Sequence, residues 1–367
     1  MKASEPSAAS HDPTLRNDIV SDHISSRRAF LRAGIAGAAV LAAAPSFASP
    51  SAGPSTSGAT ASPLPRMPVR QVRTDYLDIG YHQAGPDNGR PVILLHGFPY
   101  DIHSYVDVAP ILAERGFRVI VPHLRGHGTT RLRDPATPRA GQQAAIGEDV
   151  IALMDALHIP EAVLAGYDWG GRAACVVAAV KPTRCVGLVS VNSYLIQDIA
   201  HATAPLAAPV EWGLWYQYYF QTERGRAGLE ANRRDIARIL WKNNSPTWHF
   251  DEATFARAAE AFDNPDYVDI VIHSYRHRLG LAPGYPLHEA TEKKLAALPA
   301  ISVPTITLDG TADGVVPATD GQASAARFTG PRTHRQIPGV GHNLPQEAPQ
   351  AFADAATELV RGGKWRT

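Results

Sequence analysis

The chain has 367 residues, 44% of them hydrophobic, and its 35 Lys and Arg balance its 35 Asp and Glu. A formal net charge of zero gives no basic surplus of the kind that holds nucleic acid or an anionic membrane, so neither partner is expected. The length and the hydrophobic content predict one large α/β domain with an inserted module, or two domains.

Residues 1–48 are expected to be an export signal that is not part of the fold. Arg27 and Arg28 precede an apolar stretch, 33–44, that is too short to span a bilayer comfortably, and a small-residue cleavage pattern follows. This order resembles a twin-arginine signal and predicts an exported protein, periplasmic or secreted. Residues 49–68 are rich in Ser, Pro, Gly and Ala and are predicted to be a disordered linker.

The rest of the chain alternates buried strands with helices. Two short strands are expected between Val72 and Gly85, and residues 141–157 carry apolar side chains at helical spacing. Further strands are predicted within 91–97, 117–128, 161–166, 186–192, 303–310 and 333–339. This alternation predicts a mostly parallel sheet with helices on both faces.

The segment 195–290 differs from its surroundings. It is rich in aromatic residues and arginine, and it lacks the apolar runs of buried strands. The stretches 226–244 and 252–264 have the pattern of amphipathic helices. We therefore expect a helical cap, inserted between two parts of an α/β core that span residues 69–194 and 291–367.

The two cysteines, Cys175 and Cys185, are too few for a disulfide framework and are expected to be buried free thiols. No cluster of His and Cys has the spacing of a zinc site. The sequence therefore predicts neither a structural metal nor a stabilising disulfide.

The stretch AGYDWGGRAA (165–174) places Asp168 at a tight turn between a strand and a helix of small residues. Glycines at 166, 170 and 171 supply the space that such a sharp turn requires. Ligands of parallel sheets bind at the carboxyl ends of strands, and a helix N-terminus there stabilises negative charge and can receive an oxyanion. Asp168 is therefore a candidate nucleophile, with capping of the helix as its alternative role.

From residue 69 onward the sequence resembles the α/β-hydrolase superfamily, with Asp at the nucleophile elbow in place of Ser. The motifs that carry this resemblance, beside the elbow, are HGFP (96–99), RGHG (125–128), GTADGVVP (310–317) and GVGHNLP (339–345). The resemblance implies an α/β-hydrolase fold, a mostly parallel sheet flanked by helices with an inserted helical cap.

The resemblance also implies roles for individual residues. Asp313 would be the acid that orients the base His342, and the backbone N–H groups of Phe98 and Trp169 would form the oxyanion hole. Two other carboxylates lie near the expected acid in the sequence and are alternatives to it: Asp309 and Asp320.

A carboxylate nucleophile suits displacement at a saturated carbon and gives an ester between enzyme and substrate. The histidine is then free to activate water against that ester. An epoxide leaves an alkoxide, which needs a proton donor such as tyrosine, whereas a departing halide needs only N–H donors.

The expected cap carries tyrosines that favour the epoxide. WYQYYFQ (215–221) and HSYRHR (273–278) resemble the cap motifs of epoxide hydrolases, which implies that Tyr216 and Tyr275 polarise and protonate the epoxide oxygen. Ordinary aromatic packing is the alternative role for both. Nearby tyrosines compete with the first of them: Tyr218 and Tyr219.

The alternative activity is that of a dehalogenase of the same fold, acting on haloalkanes or haloacids. Trp169 matches the halide-binding Trp of haloalkane dehalogenases, but Phe98 stands where those enzymes have Asn. Arg172 matches the second Arg of the fluoroacetate dehalogenase elbow, which leaves open an anionic substrate held by Arg172, or simple packing against the cap.

A non-catalytic binding protein on this fold is a third possibility, and a serine esterase is disfavoured because the elbow lacks Ser. The sequence thus predicts hydrolysis of epoxides to vicinal diols through an aspartyl ester, with no metal or organic cofactor. The substrate is a small molecule, and the oligomeric state is left open.

Overall fold

The computed structural model describes residues 67–366, in which a mixed β-sheet of nine strands forms the centre of the fold. The strands are β1 (Val69–Arg73), β2 (Leu77–Ala84), β3 (Pro91–Leu95), β4 (Arg118–Pro122), β5 (Arg131–Leu132), β6 (Ala162–Gly166), β7 (Cys185–Val191), β8 (Thr305–Gly310) and β9 (Arg332–Ile337). Their spatial order is β1-β2-β4-β3-β6-β7-β8-β9, and β5 pairs with β2.

The centre of the sheet is parallel and its first edge is antiparallel. β3 pairs in parallel with β4 and β6, and the parallel pairing continues from β6 through β9. β2 is antiparallel to β1, β4 and β5. The inner strands are covered on both faces, and Val92–Leu95 have no exposed surface. This two-sided burial explains why their sequences are continuously apolar.

Helices flank the sheet. They are α1 (Val108–Glu114), α2 (Gln143–Ala156), α3 (Asp168–Val180), α4 (Ala208–Gly213), α5 (Trp215–Tyr219), α6 (Glu223–Ala231), α7 (Arg233–Asn244), α8 (Glu252–Ala259), α9 (Tyr267–Arg278), α10 (Glu289–Ala296), α11 (Leu344–Glu347) and α12 (Pro349–Gly362). Helices α4 to α9 all lie between β7 and β8 in the chain, which is where the sequence places the helical cap.

The predicted mostly parallel sheet with flanking helices is confirmed. One expected helix, 226–244, is instead two, because Asn232 leaves helical geometry at φ −130° and ψ 36° between α6 and α7. Cys175 and Cys185 are buried free thiols, as expected. None of the helices within residues 67–366 is long and apolar enough to cross a membrane.

The predicted export signal, 1–48, and nearly all of the linker predicted at 49–68 lie outside the described residues. The export signal, the linker and the boundaries of the cap stay predictions.

Candidate active site

The turn that carries Asp168 is tightly packed against the neighbouring strand. β6 ends at Gly166 and α3 begins at Asp168, whose φ of +48° is unusual for a residue with a side chain. A Cβ on Gly170 would lie 2.0 Å from the carbonyl oxygen of Leu95, in β3. Only glycine therefore lets α3 start this close to the sheet, and that closeness presents the Asp168 carboxylate at the carboxyl edge.

A backbone donor already holds one oxygen of this carboxylate. The Phe98 N–H, just beyond the end of β3, donates a hydrogen bond of 2.7 Å to Asp168 Oδ1. The second oxygen, Oδ2, lies 3.9 Å from Nε2 of His342. Oδ1 thus occupies the position from which an ester carbonyl would meet a backbone donor. The N–H of Trp169, the other expected donor, stays a prediction.

The predicted base and acid are brought together from two strand exits. His342 Nδ1 lies 2.8 Å from Asp313 Oδ2, and both side chains are buried. The other acid oxygen, Oδ1, accepts hydrogen bonds from the backbone N–H groups of Val315 and Val316. These bonds fix the carboxylate and leave His342 Nε2 facing Asp168, the orientation that a base needs.

The two competing carboxylates are engaged elsewhere. Asp309 accepts hydrogen bonds from the backbone N–H and the hydroxyl of Thr319, and its Oδ2 is 3.9 Å from His334. Asp320 is exposed and accepts a hydrogen bond from the backbone N–H of Gln322. Asp313 is the carboxylate of the three that contacts His342.

The electrostatics of the site favour an ion pair at rest. Burial alone would raise the pKa of Asp168, but the neighbouring His342 and Arg172 and the Phe98 N–H lower it to about 2. Burial alone would lower the pKa of His342, but the Asp313 and Asp168 carboxylates raise it to about 10. At neutral pH Asp168 is therefore ionised and His342 protonated.

Tyr216 and Tyr275 meet above the turn. Their ring centroids are 5.3 Å apart, and each packs against Phe98, at 6.2 Å and 5.4 Å respectively. Burial, with a further effect of the Asp168 charge, raises the pKa of both phenols, so both stay protonated at neutral pH. The Tyr275 hydroxyl lies beside the Tyr216 hydroxyl and the indole N–H of Trp169.

The competing tyrosines lie outside this group. Tyr218 is 47% exposed and its hydroxyl bonds to Glu211 on the cap surface. Tyr219 is half-buried, with its ring 5.9 Å from that of Trp215 and its hydroxyl against Gly228. Of the three tyrosines in this stretch, only Tyr216 packs beside Tyr275.

Arg172, one turn along α3 from Asp168, is 7% exposed. Its Nε donates to the carbonyl oxygen of Leu195, where the cap segment begins, over 3.1 Å. Its Nη1 is buried without a partner in the described part of the chain. The hydrogen bond to Leu195 is consistent with packing against the cap, the alternative role predicted from the sequence. This packing does not account for the buried N–H groups at Nη1.

Sequence reasoning missed three polar residues around the site. Asn192 Nδ2 donates to Asp313 Oδ2 over 3.2 Å, and Ser245 in the cap accepts a hydrogen bond from the His342 N–H. Arg278 lies over the Tyr275 ring, 4.3 Å from its centroid. A polar residue directly after the apolar run of β7 was a usable signal for Asn192, whereas the other two depend on cap packing.

These residues form an ionised carboxylate, a histidine oriented by a second carboxylate, a backbone donor and two protonated phenols in one buried region. Such a set can attack an electrophilic carbon, donate a proton to the leaving oxygen and activate water. In residues 67–366 no group of three or more His, Cys, Asp or Glu side chains could hold a metal ion.

Comparison with known proteins identifies the family to which this fold belongs. The family model of the alpha/beta hydrolase fold matches residues 90–349. A crystal structure from Klebsiella pneumoniae, of a protein provisionally assigned as an epoxide hydrolase, is 51% identical with a TM-score of 0.78, over 80% of this chain and 97% of that one. Epoxide hydrolase A of Mycobacterium tuberculosis is 28% identical over 80% of this chain and 97% of its own length.

Another relative carries a different name. The magnesium-chelatase 30 kDa subunit of Rhodobacter capsulatus is 30% identical, over 76% of this chain and 89% of its own length. The chain belongs to the α/β-hydrolase fold family. Within that family it is an epoxide hydrolase-like enzyme, a hydrolase.

Proposed function

We propose that this enzyme hydrolyses epoxides to vicinal diols through a covalent ester on Asp168. The observation that carries the proposal is the pair of buried phenols, Tyr216 and Tyr275, 5.3 Å apart beside an ionised carboxylate. A phenol can give a proton to the alkoxide that ring opening releases, which a departing halide does not need. The epoxide hydrolases among the relatives point the same way.

In the first step Asp168 Oδ2 attacks a ring carbon, and the bond from that carbon to the epoxide oxygen breaks. The opened oxygen takes the proton of Tyr275 or Tyr216, which leaves a hydroxyl on the substrate and a tyrosinate on the enzyme. Asp168 Oδ1, held by the Phe98 N–H at 2.7 Å, becomes the ester carbonyl oxygen. Ionisation of Asp168 at neutral pH supports this step, because its pKa is about 2.

Formation of the ester prepares His342 for the second step. In the resting enzyme the Asp313 and Asp168 carboxylates raise the pKa of His342 to about 10. Esterification removes the negative charge of Asp168, so the pKa of His342 falls and the ring passes its proton to the tyrosinate formed in the first step. The base therefore becomes available only after the nucleophile has reacted.

Water then cleaves the ester. His342 takes a proton from water, and the hydroxide adds to Cγ of Asp168 while the Phe98 N–H holds the oxyanion. Collapse of this intermediate passes the remaining hydroxyl proton to the leaving alkoxide and restores the carboxylate. The proton taken from water stays on His342 and restores the resting ion pair, and the sum is one epoxide and one water giving one diol.

Halide displacement is the second candidate, and one observation favours it. The indole N–H of Trp169, directly after the nucleophile, is buried beside the Tyr275 hydroxyl and could hold a departing halide. Phe98, at the other expected halide position, has no side-chain donor. Halide displacement does not require the two buried phenols, and we therefore rank this reaction second.

Intact-protein mass spectrometry of the His342→Gln variant separates the two candidates. The variant is incubated with styrene oxide and, separately, with a chloroalkane and with fluoroacetate. We expect a gain of the whole epoxide mass and no gain from the halides. A clean adduct from a halide, at the substrate mass less the halogen, with none from a panel of epoxides, would reverse the ranking.

Two control variants locate the adduct. Asp168→Asn should give no adduct, since a neutral amide is a much weaker nucleophile toward a saturated carbon than a carboxylate is. His201→Gln, at an exposed position with 79% of its side chain accessible, should turn over normally and accumulate nothing.

A further inference from the structure

Arg278 is a buried cation at the last residue of helix α9, beside the site. It is 7% exposed, its Nη2 donates to the Ser274 hydroxyl over 3.3 Å, and its Nε has no hydrogen-bond partner among the described residues. In the same part of the chain it forms no ion pair with Asp or Glu. Burying a cation with so few partners is costly, so its position requires an explanation.

The surroundings of Arg278 offset little of this cost. The last turn of a helix favours a positive charge, but only by a modest amount. The neighbouring Arg172 acts in the opposite direction, because burial and the charge of Arg278 lower the pKa of Arg172 to about 10. The two cations therefore repel each other, and stability alone does not explain why Arg278 lies here.

The guanidinium of Arg278 lies against the aromatic side chains of the site. Its central carbon is 4.3 Å from the ring centroid of Tyr275 and 5.8 Å from that of Trp169. Tyr275 stands three residues earlier on α9, a spacing that brings two side chains to the same face of a helix. A cation at this distance attracts a neutral ring, and it attracts a ring that carries a full negative charge far more strongly.

The two phenols share the field of this guanidinium. The hydroxyls of Tyr216 and Tyr275 are neighbours, and burial raises the pKa of both phenols whereas the charge of Arg278 lowers both. Loss of a proton from either phenol places an anion in a buried aromatic region, which is unfavourable without a compensating charge. Arg278 supplies such a charge to whichever hydroxyl gives up its proton.

We infer that Arg278 promotes ring opening through the two phenols, because its charge stabilises the tyrosinate that remains when Tyr216 or Tyr275 gives its proton to the opened epoxide oxygen. The inference rests on the proposed epoxide hydrolysis and adds a positioning residue to it. In this step a phenol O–H bond breaks, an O–H bond forms on the substrate oxygen, and the electron pair stays on the phenol oxygen. Arg278 keeps its own protons throughout, as a guanidinium does in proteins.

The test compares two epoxides that differ in how much they need a proton. Opening of 1,2-epoxypropane at its terminal carbon leaves a strongly basic alkoxide, whereas the fluorines of 3,3,3-trifluoro-1,2-epoxypropane make the corresponding alkoxide much less basic. The readout is the rate of ester formation in the first turnover. In Arg278→Met we expect this rate to fall about 30-fold for 1,2-epoxypropane, as for loss of a cation over a desolvated aromatic ring, and about threefold or less for the fluorinated epoxide.

Further variants separate the charge of Arg278 from its packing. Arg278→Lys keeps a positive charge and should bring the rate for 1,2-epoxypropane back to within about fivefold of that of the unaltered enzyme. Arg278→Gln keeps a polar group near Ser274 without the charge, so it should behave like Arg278→Met, and it gives the same comparison if the methionine variant does not fold. Arg226→Met is the control: it removes an arginine that pairs with Asp269 on the same helix, and it should change neither rate.

A second measurement follows the tyrosinate itself. The ester is expected to accumulate in His342→Gln, and the near-ultraviolet absorbance of phenolate can then be titrated in the trapped ester, with a variant that also carries Tyr216→Phe and Tyr275→Phe as the baseline. Adding Arg278→Met should move the midpoint of this titration upward by about 1.5 pH units, the equivalent of a 30-fold effect. A role in packing alone would not move the midpoint.

Three results would overturn the inference: equal slowing of the two epoxides in Arg278→Met, recovery of the rate in Arg278→Gln, or an unchanged midpoint in the titration. Each of them leaves epoxide hydrolysis standing, because ring opening is still observed. Failure of the unaltered enzyme to open any epoxide, styrene oxide included, overturns both proposals.

Discussion

The hydroxyl of Ser245, at the end of cap helix α7, accepts a hydrogen bond of 3.0 Å from the backbone N–H of His342. The same oxygen donates to Glu347 over 2.6 Å, and Glu347 in turn accepts hydrogen bonds from the N–H groups of Gly341 and Asn343. The segment between β7 and β8 therefore contacts the loop that carries the histidine.

Removal of that hydroxyl should slow the second chemical step. Ser245→Ala removes the oxygen that accepts hydrogen bonds from the backbone N–H groups of His342 and Asn343. We expect hydrolysis of the ester to fall roughly five- to tenfold, which corresponds to the loss of about one hydrogen bond. Single-turnover kinetics measures ester formation and ester hydrolysis separately. Thr247→Ala is the matched control, because that hydroxyl bonds to Gly339 and does not touch His342. Equal slowing of both steps would contradict this role.

Loss of the phenol hydroxyls should affect the opposite step. Tyr275→Phe and Tyr216→Phe each remove a proposed proton donor, and each should lower the rate of ester formation from an epoxide. In the double variant we expect this rate to fall by about 10²- to 10⁴-fold. Stopped-flow measurement of the first turnover reports this rate. Tyr218→Phe, which alters an exposed tyrosine, should have no effect. Normal ring opening in the double variant would assign the proton to another group.

Stability should depend on pH through His342. Its pKa in the folded protein, about 10, lies above the ordinary value of 6.5, so the stabilisation is fully present below pH 6.5 and is lost as the pH rises through 10. The melting temperature should therefore fall between pH 7 and pH 10, and it should fall less in His342→Gln. Parallel melting curves of the two proteins across this range would show that the pair does not contribute.

The same reasoning has the opposite sign for Asp168. Its pKa of about 2 lies below the ordinary 3.8, so its contribution is present above pH 3.8 and disappears as the pH falls through 2. The two groups together define a broad window in which the ion pair stabilises the fold.

The glycine that allows the tight turn should not tolerate a methyl group. Gly170→Ala places Cβ 2.0 Å from the carbonyl oxygen of Leu95, which is backbone and cannot rotate away. We expect a loss of stability of roughly 1–3 kcal/mol or more, measured by chemical denaturation. Gly362→Ala, at the end of α12 with no atom within 4 Å, should be neutral or slightly stabilising. Equal stability of the two variants would show that the turn relaxes.

The strands and the position of the candidate nucleophile, Asp168, could be predicted because each is a local pattern. A strand buried on both faces must be continuously apolar, and a turn this sharp must be flanked by glycine. Both patterns are present in residues 161–171, which therefore predict the strand and the turn. The helix break at Asn232 was missed because the amphipathic pattern continues through it.

The sequence by itself determined the fold class and the residue types available for chemistry, since periodicity and motif order are properties of neighbouring residues. Only the tertiary structure decided which tyrosine and which carboxylate contact the site, and that Ser245, Asn192 and Arg278 lie beside it. Those contacts join residues that are far apart in the chain, 121 positions for Asn192 and Asp313. Their formation depends on how the sheet and the cap pack, which no local pattern encodes.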